Sequence, residues 1–339
     1  MAVSVKTRKA LKKAVKNKRR RRRGSWLFIQ QGDPPAECLS KMFTQFAVII
    51  LAACGIILAN ELRLSLSARN LNNNIKELYH TISNTSVIPD IEIPFADTLP
   101  ADSPSGTVNR SPLLPGAVRL LEINPDTVGY VNVEGTNISL PVVQRKGDDG
   151  NDYYLTTAFD GSANKAGTVF LDYRATLTAD ERSDVLTLYG HNQRDATMFG
   201  DLKKYKKDLE FYKAHPNIEF SSNYRFDTYK IFAYFVTATL PENTRDGVVF
   251  DYHNYIDLDE QSFDDFIANI MLRSQIVTSV DVRYGDEFLV LSTCSNEFND
   301  SRFVVFARRV RDGESEFTDT SLAVLNPNAK EPDWDVIFK

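Results

Sequence analysis

The chain has 339 residues, 42% of them hydrophobic and 25% charged, which suits one large or two modest domains with a packed core and excludes a disordered or fibrous chain. Its net charge of −5 hides an uneven distribution: Lys6 to Arg23 holds 12 Lys and Arg and no acid, while from residue 61 onward 27 Lys and Arg face 43 Asp and Glu. Three cysteines are too few for a disulfide scaffold.

The basic leader, residues 1–41, reads as a nucleic-acid arm or as the flank of a membrane helix, and the next segment selects the second. From Met42 to Ala59 there is no charge, and at about 1.5 Å per residue such a helix approaches the roughly 30 Å hydrocarbon core of a bilayer. Residues 42–62 are therefore expected to be an uncleaved transmembrane anchor. A cleaved signal peptide would carry a shorter basic region and a small-residue cleavage site after Ala59. Positive charge stays inside, so the expectation is a single-pass cell-membrane protein with a cytoplasmic N-terminus and an extracellular remainder. The leader would touch anionic lipid headgroups, and no nucleic-acid partner is expected.

Leu64, Ala68, Leu71, Ile75, Leu78 and Ile82 recur at steps of four and three, predicting a stalk helix over 63–83 that either pairs with another helix or docks on the external domain. Residues 84–115, with six prolines among Ser, Asp and Thr, read as an extended linker. A folded domain over 116–312 begins in earnest near Leu120. Its predicted strands are Val128–Val133 and Ile138–Val143 around the turn Glu134–Asn137, then Asp184–Gly190, Asn217–Phe220, Tyr229–Ala238, Phe288–Leu291 and Phe303–Ala307. Short strands in such succession argue for a mainly β fold, a mostly antiparallel barrel.

Two helices interrupt them. Met198–Tyr212 aligns Leu202, Tyr205, Leu209 and Tyr212, and a helix through Phe263, Phe266, Ile267, Ile270 and Met271 lies inside a long excursion between Thr239 and Asp281. The tail, 313–339, is expected to dock through Trp334, Ile337 and Phe338.

Cys38 and Cys54 fall on the cytoplasmic flank and in the anchor, leaving Cys294 as the one external thiol. It has no partner for a disulfide, and without a second external Cys or a C-x-x-C no metal site is expected. Cys294 ends a strand, with Arg302 at the start of the returning strand, where a cation can favour thiolate. The same apolar setting also suits a small core cysteine. Of four histidines, His80 lies on the stalk, His215 in a His-Pro turn and His253 in the loop before the second helix, while His191 follows a strand.

LSTC (Leu291–Cys294) with Arg302 eight residues on, preceded in the chain by YGHN (Tyr189–Asn192), resembles the active-site segments of the sortases, cysteine transpeptidases that attach proteins to bacterial cell walls. The opening hairpin, DYYLTTAFDG (Asp152–Gly161), GTVFLDYR (Gly167–Arg174) and the long helix ahead of the cysteine strand resemble class B of that family. The resemblance covers Leu120 to Arg309 and implies a closed barrel of about eight strands with peripheral helices. It implies catalysis by His191, Cys294 and Arg302, with Ser292, Thr293 and Asn192 binding substrate and no cofactor. Implied partners are secreted proteins with an LPxTG-like or NPxTN-like sorting motif and an amine acceptor on a peptidoglycan precursor or a pilin. The leader, stalk and tail are not marks of the family. Two rivals stay open: a papain-like protease, in which Cys precedes His and opens a helix, and a membrane-tethered binding module that needs no thiol.

Overall fold

The computed structural model describes residues 27–29, 33–83, 112–193, 195–295, 297, 298 and 300–338. The basic cluster and the linker as far as residue 111 lie outside the described residues. The chain divides into two compact units, residues 1–65 and 66–339.

Helix α1 spans Pro35–Ser83 and contains an 18-residue window of mean hydropathy 2.4, long and apolar enough to cross a membrane. Phe43, Phe46, Ile49, Leu51, Ile56 and Leu58 are all exposed, and apolar residues around the whole circumference suit hydrocarbon better than water. The helix runs on past residue 62, where separate anchor and stalk were expected. Neither Gly nor Pro stands there to break it.

The second unit is a barrel. Strands β1 (Thr127–Asn132), β2 (Ser139–Val143), β3 (Val169–Leu171), β4 (Val185–Tyr189), β5 (Asn217–Ser222), β6 (Phe226–Ala238), β8 (Phe288–Cys294) and β9 (Ser301–Arg309) close in the order β1-β2-β3-β4-β8-β9-β6-β5. A small separate sheet joins β7 (Ile276–Val277) to β10 (Val324–Leu325). The barrel is mixed rather than uniformly antiparallel, because β2–β3 and β4–β8 pair in parallel.

Side-chain alternation sorts each barrel strand into two faces. Leu186, Leu188, Leu289, Leu291, Val305 and Ala307 fill the interior with Val131, Leu140 and Val142. Val185, Phe288, Val290, Val304 and Phe306 point outward into a second core. That core is covered by helix α5 (Glu260–Arg273) through Phe263, Phe266 and Ile270. Asp259 caps α5 by accepting from the Ser262 amide at 2.8 Å. Met271, placed on the buried face by periodicity, is 45% exposed, because the inward stripe ends at Ile270 and Arg273.

A third cluster packs Ile75 and Tyr79 of α1 with Leu120 of helix α2 (Pro115–Ile123), Tyr130 and Phe170, and Tyr79 stacks on Tyr130 at 3.9 Å. The later part of α1 therefore docks, as one of the two stalk readings had it. Helix α2 was not foreseen: Pro115 opens it at a position where the missing N–H costs nothing. The expected helix 198–212 is broken into a 3₁₀ turn (Gly200–Leu202), α3 (Lys203–Lys207) and α4 (Leu209–Ala214). The break comes where Asp208 turns extended and caps α4, accepting from Glu210 N–H at 2.9 Å.

Candidate active site

The parity that builds the two cores also sets the site. On β8, Cys294 follows Ser292 and Val290 on the outward face, and on β9, Arg302 precedes Val304 and Phe306 on that same face. The register makes Cys294 and Arg302 direct cross-strand partners, about 4.5–5.5 Å apart at Cβ for such a pair. Tyr189, last in β4, pairs in parallel with Ser292, and two residues on lies His191. All three side chains line one cleft of about 400 Å³.

Local packing fixes His191. A Cβ on Gly190 would sit 2.8 Å from the ring of buried Phe199, so only glycine lets the chain pass there. The loop closes again through Phe199 N–H donating to His191 C=O at 3.0 Å. Across the cleft, His191 Nε2 is 2.8 Å from the Leu155 carbonyl, and an N–H on that nitrogen donates to it. Gly167 packs closely on that segment: its φ is +64°, and a Cβ would come within 2.4 Å of Tyr154 O and 2.9 Å of Leu155 O.

Cys294 is exposed. Its backbone carbonyl accepts from Asn192 Nδ2 at 2.9 Å, which ties the histidine loop to the cysteine strand. The Arg302 guanidinium donates to the Ser301 carbonyl at 3.1 Å and, among the described residues, has no carboxylate within ion-pair distance. Ser292 and Thr293 border the cleft with buried side chains. The Ser292 hydroxyl is engaged with Tyr252 Oη at 2.7 Å, and Thr293 lies on the interior parity with a buried, unpaired Oγ1.

Beneath the cleft, Asp172 holds Arg174 in a fork, Nε to Oδ1 at 2.9 Å and Nη2 to Oδ2 at 2.8 Å, and accepts from Tyr189 Oη at 3.0 Å. Burial alone would raise the Asp172 carboxyl, but the arginine and the tyrosine hydroxyl outweigh it and hold it below the usual range. Arg174 also donates to His253 C=O at 2.6 Å and to Asn254 at 3.1 Å. The far wall is thereby pinned.

That wall is the segment before α5. Phe250, Asp251, Tyr252 and His253 line the cleft, whereas α5 itself packs behind on the second core. Sequence reasoning missed Tyr252 and set His253 aside as a loop residue, since nothing local marks a loop residue that folds back over a strand. Burial raises the Tyr252 phenol above its ordinary range and lowers the His253 imidazole, which Asp251 partly opposes. His80, by contrast, sits away from the cleft, 3.3 Å from Ser139 Oγ.

A model of the sortase domain matches residues 131–310. Sortase B of Listeria monocytogenes is 28% identical over 244 residues, spanning 69% of this chain and 88% of that protein. Sortase B of Staphylococcus aureus is 31% identical over 194 residues, spanning 57% and 73%. The crystal structure of sortase B from Bacillus anthracis shares the fold, with a TM-score of 0.57 and 24% identity over 74% of this chain and 99% of that one.

Proposed function

The chain belongs to the sortase family of transpeptidases, and from that premise we propose that it is a membrane-anchored class B enzyme acting outside the cell. It would cleave a C-terminal LPxTG-like or NPxTN-like sorting motif of secreted proteins and pass the acyl group to an amine of a peptidoglycan precursor or a pilin. The observation that carries this reading is that His191, Cys294 and Arg302 line one cleft in which Cys294 is exposed. A core cysteine would be buried.

In this reading the Cys294 thiolate attacks the carbonyl carbon at the scissile bond and makes a tetrahedral oxyanion. The C–N bond then breaks while His191 gives a proton to the departing amine, leaving a thioester. An incoming amine attacks the thioester, His191 takes its proton, and the C–S bond breaks to return the thiolate. Arg302, with donors to spare, faces the oxyanion and the substrate backbone. His191 precedes Cys294 and the cysteine ends a strand, the reverse of the papain arrangement.

The test offers the full chain in detergent peptides of each motif class, with and without triglycine. Expected is an acyl–glycine product at the expense of hydrolysis. Hydrolysis indifferent to the amine would make the protein a protease, and no turnover with any peptide would favour a binding module.

A further inference from the structure

The residues after β9 lie beyond the matched domain, yet they are strapped to the barrel along their length. Thr318 Oγ1 donates to Asn217 Oδ1 at 2.6 Å, β10 pairs with β7, and Asn326 Nδ2 donates to Ser274 O at 2.8 Å. Lys330 N–H donates to Leu272 O at 2.8 Å and its ammonium pairs with Asp246, and Asp333 N–H donates to Asn243 O at 2.9 Å. The strap ends in the single-turn helix α6 (Trp334–Ile337).

Trp334 meets the ring of Phe298 edge-to-face, centroids 5.7 Å apart at 80°, and Phe338 stacks on its other side at 5.8 Å. Phe298 belongs to the loop between Cys294 and Arg302. Its carbonyl accepts from Ser301 Oγ at 2.8 Å, and Ser301 Oγ also donates to Ser295 O at 2.6 Å. A tryptophan 40 residues beyond the cysteine thus rests on the turn that holds Cys294 and Arg302 opposite each other.

We propose that Trp334 is a positioning residue, and that the tail braces the β8–β9 turn so that thiol and guanidinium keep their cross-strand register. This rests on the transpeptidase reading for its kinetic consequence but not for its structural one. The edge-to-face pair of aromatic rings is favourable beyond its buried area, enough to bias a short polar turn without deciding the fold. Loss of the brace lets the turn sample positions in which Arg302 no longer faces the sulfur, and misplacement on the scale of 1 Å is costly to catalysis.

The experiment compares full-length Trp334→Ala, Trp334→Phe and, as a control on the same short helix α6, the exposed Val336→Ala. Three quantities are read: kcat and KM for acyl transfer, hydrogen exchange of residues 295–301, and iodoacetamide labelling of Cys294 resolved from Cys38 and Cys54 by peptide mapping. Expected for Trp334→Ala is a fall in kcat of about tenfold with KM little changed, faster exchange in the turn and an altered Cys294 labelling rate. Trp334→Phe should restore most of each, and Val336→Ala should match wild type. Unchanged turn exchange and labelling in Trp334→Ala, or a phenylalanine variant as defective as alanine, overturns the proposal. If the wild-type chain transfers no acyl group, the function reading fails while exchange and labelling still decide the brace.

Discussion

Replacing Arg302 by lysine isolates the role of the guanidinium. Arginine offers five N–H donors in a planar fork, and here one is spent on the Ser301 carbonyl. Lysine keeps the charge but gives up the fork, so it cannot hold a substrate backbone and a developing oxyanion together. One lost charge-assisted hydrogen bond in the transition state is worth about 1.5–3 kcal/mol, so transfer should fall by about 10-fold to 10²-fold. Stability should barely move, because among the described residues Arg302 anchors no ion pair.

The control must be chosen from the structure. Arg308 looks in the sequence like an equivalent cation on the same strand, but it is 1% exposed and held by Glu314 at 2.6 Å and Asp281 at 3.3 Å. Removing it takes the cation away from Glu314 and from the buried Asp286, 4.0 Å from its Nε, and would confound activity with folding. Arg309 is partly exposed and shared among Glu287, Asp227 and Asp312, so Arg309→Lys should leave transfer within a few-fold. Steady-state transfer to triglycine and a melting curve on each variant give the readout. If Arg302→Lys tracks Arg309→Lys, the guanidinium has no part in the chemistry, and backbone N–H groups must face the oxyanion.

Cys294→Ala should abolish transfer with little change in melting temperature, since the position is an exposed strand end; residual transpeptidation measured by mass spectrometry would end the thioester mechanism. His191→Ala should be as damaging, while His253→Ala should cost less than tenfold; a reversed order in the same assay reassigns the proton carrier. Protease added to intact protoplasts should remove residues beyond about 63 and spare the leader, and protection of the domain would invert the proposed topology. Hydrogen bonds from Arg308 hold Glu314 below its ordinary range, and Arg174 outweighs burial at Asp172. These depressed carboxylates stabilise the fold above the unfolded value of about 4 and lose that contribution as pH falls below it. The melting temperature should therefore be level from pH 7 to about 5 and drop below about 4; a curve flat to pH 3 would contradict these pairings.

Much of the barrel was legible because its strands are apolar runs bounded by turn residues, and because Gly285-Asp286 and Glu134-Gly135 punctuate them. The docked face of α1 was legible from its four-and-three spacing, of which Ile75 is buried and Leu71 packs alongside. What failed was continuity. A single residue, Asp208, ends one helix and caps the next, and the apolar stripe across it looks unbroken in a linear reading. The wall segment 250–253 was invisible for another reason, as was the turn on which the expected docking of Trp334 falls: both contacts span sequence distances where no periodicity links them to the strands they touch.

The site itself depends on strand parity more than on any single contact. Residues 288, 290, 292 and 294 alternate with 289, 291 and 293, so the LSTC segment sends its cysteine outward only because Leu289 and Leu291 are taken by the barrel interior. The β4–β8 and β8–β9 pairings then carry the same choice to His191 and Arg302. A one-residue slip of β8 would turn Cys294 into the barrel and Thr293 outward. Resisting that slip are Phe288 and Val290, which would have to leave the aromatic layer under α5, and Leu289 and Leu291, which would have to leave the interior. The slip would exchange these four side chains between two cores shaped for different residues, and at about 1–3 kcal/mol for each misfit the sum would rival the whole stability of an ordinary domain. The hydrophobic pattern of one seven-residue strand thus holds the proposed nucleophile in the cleft.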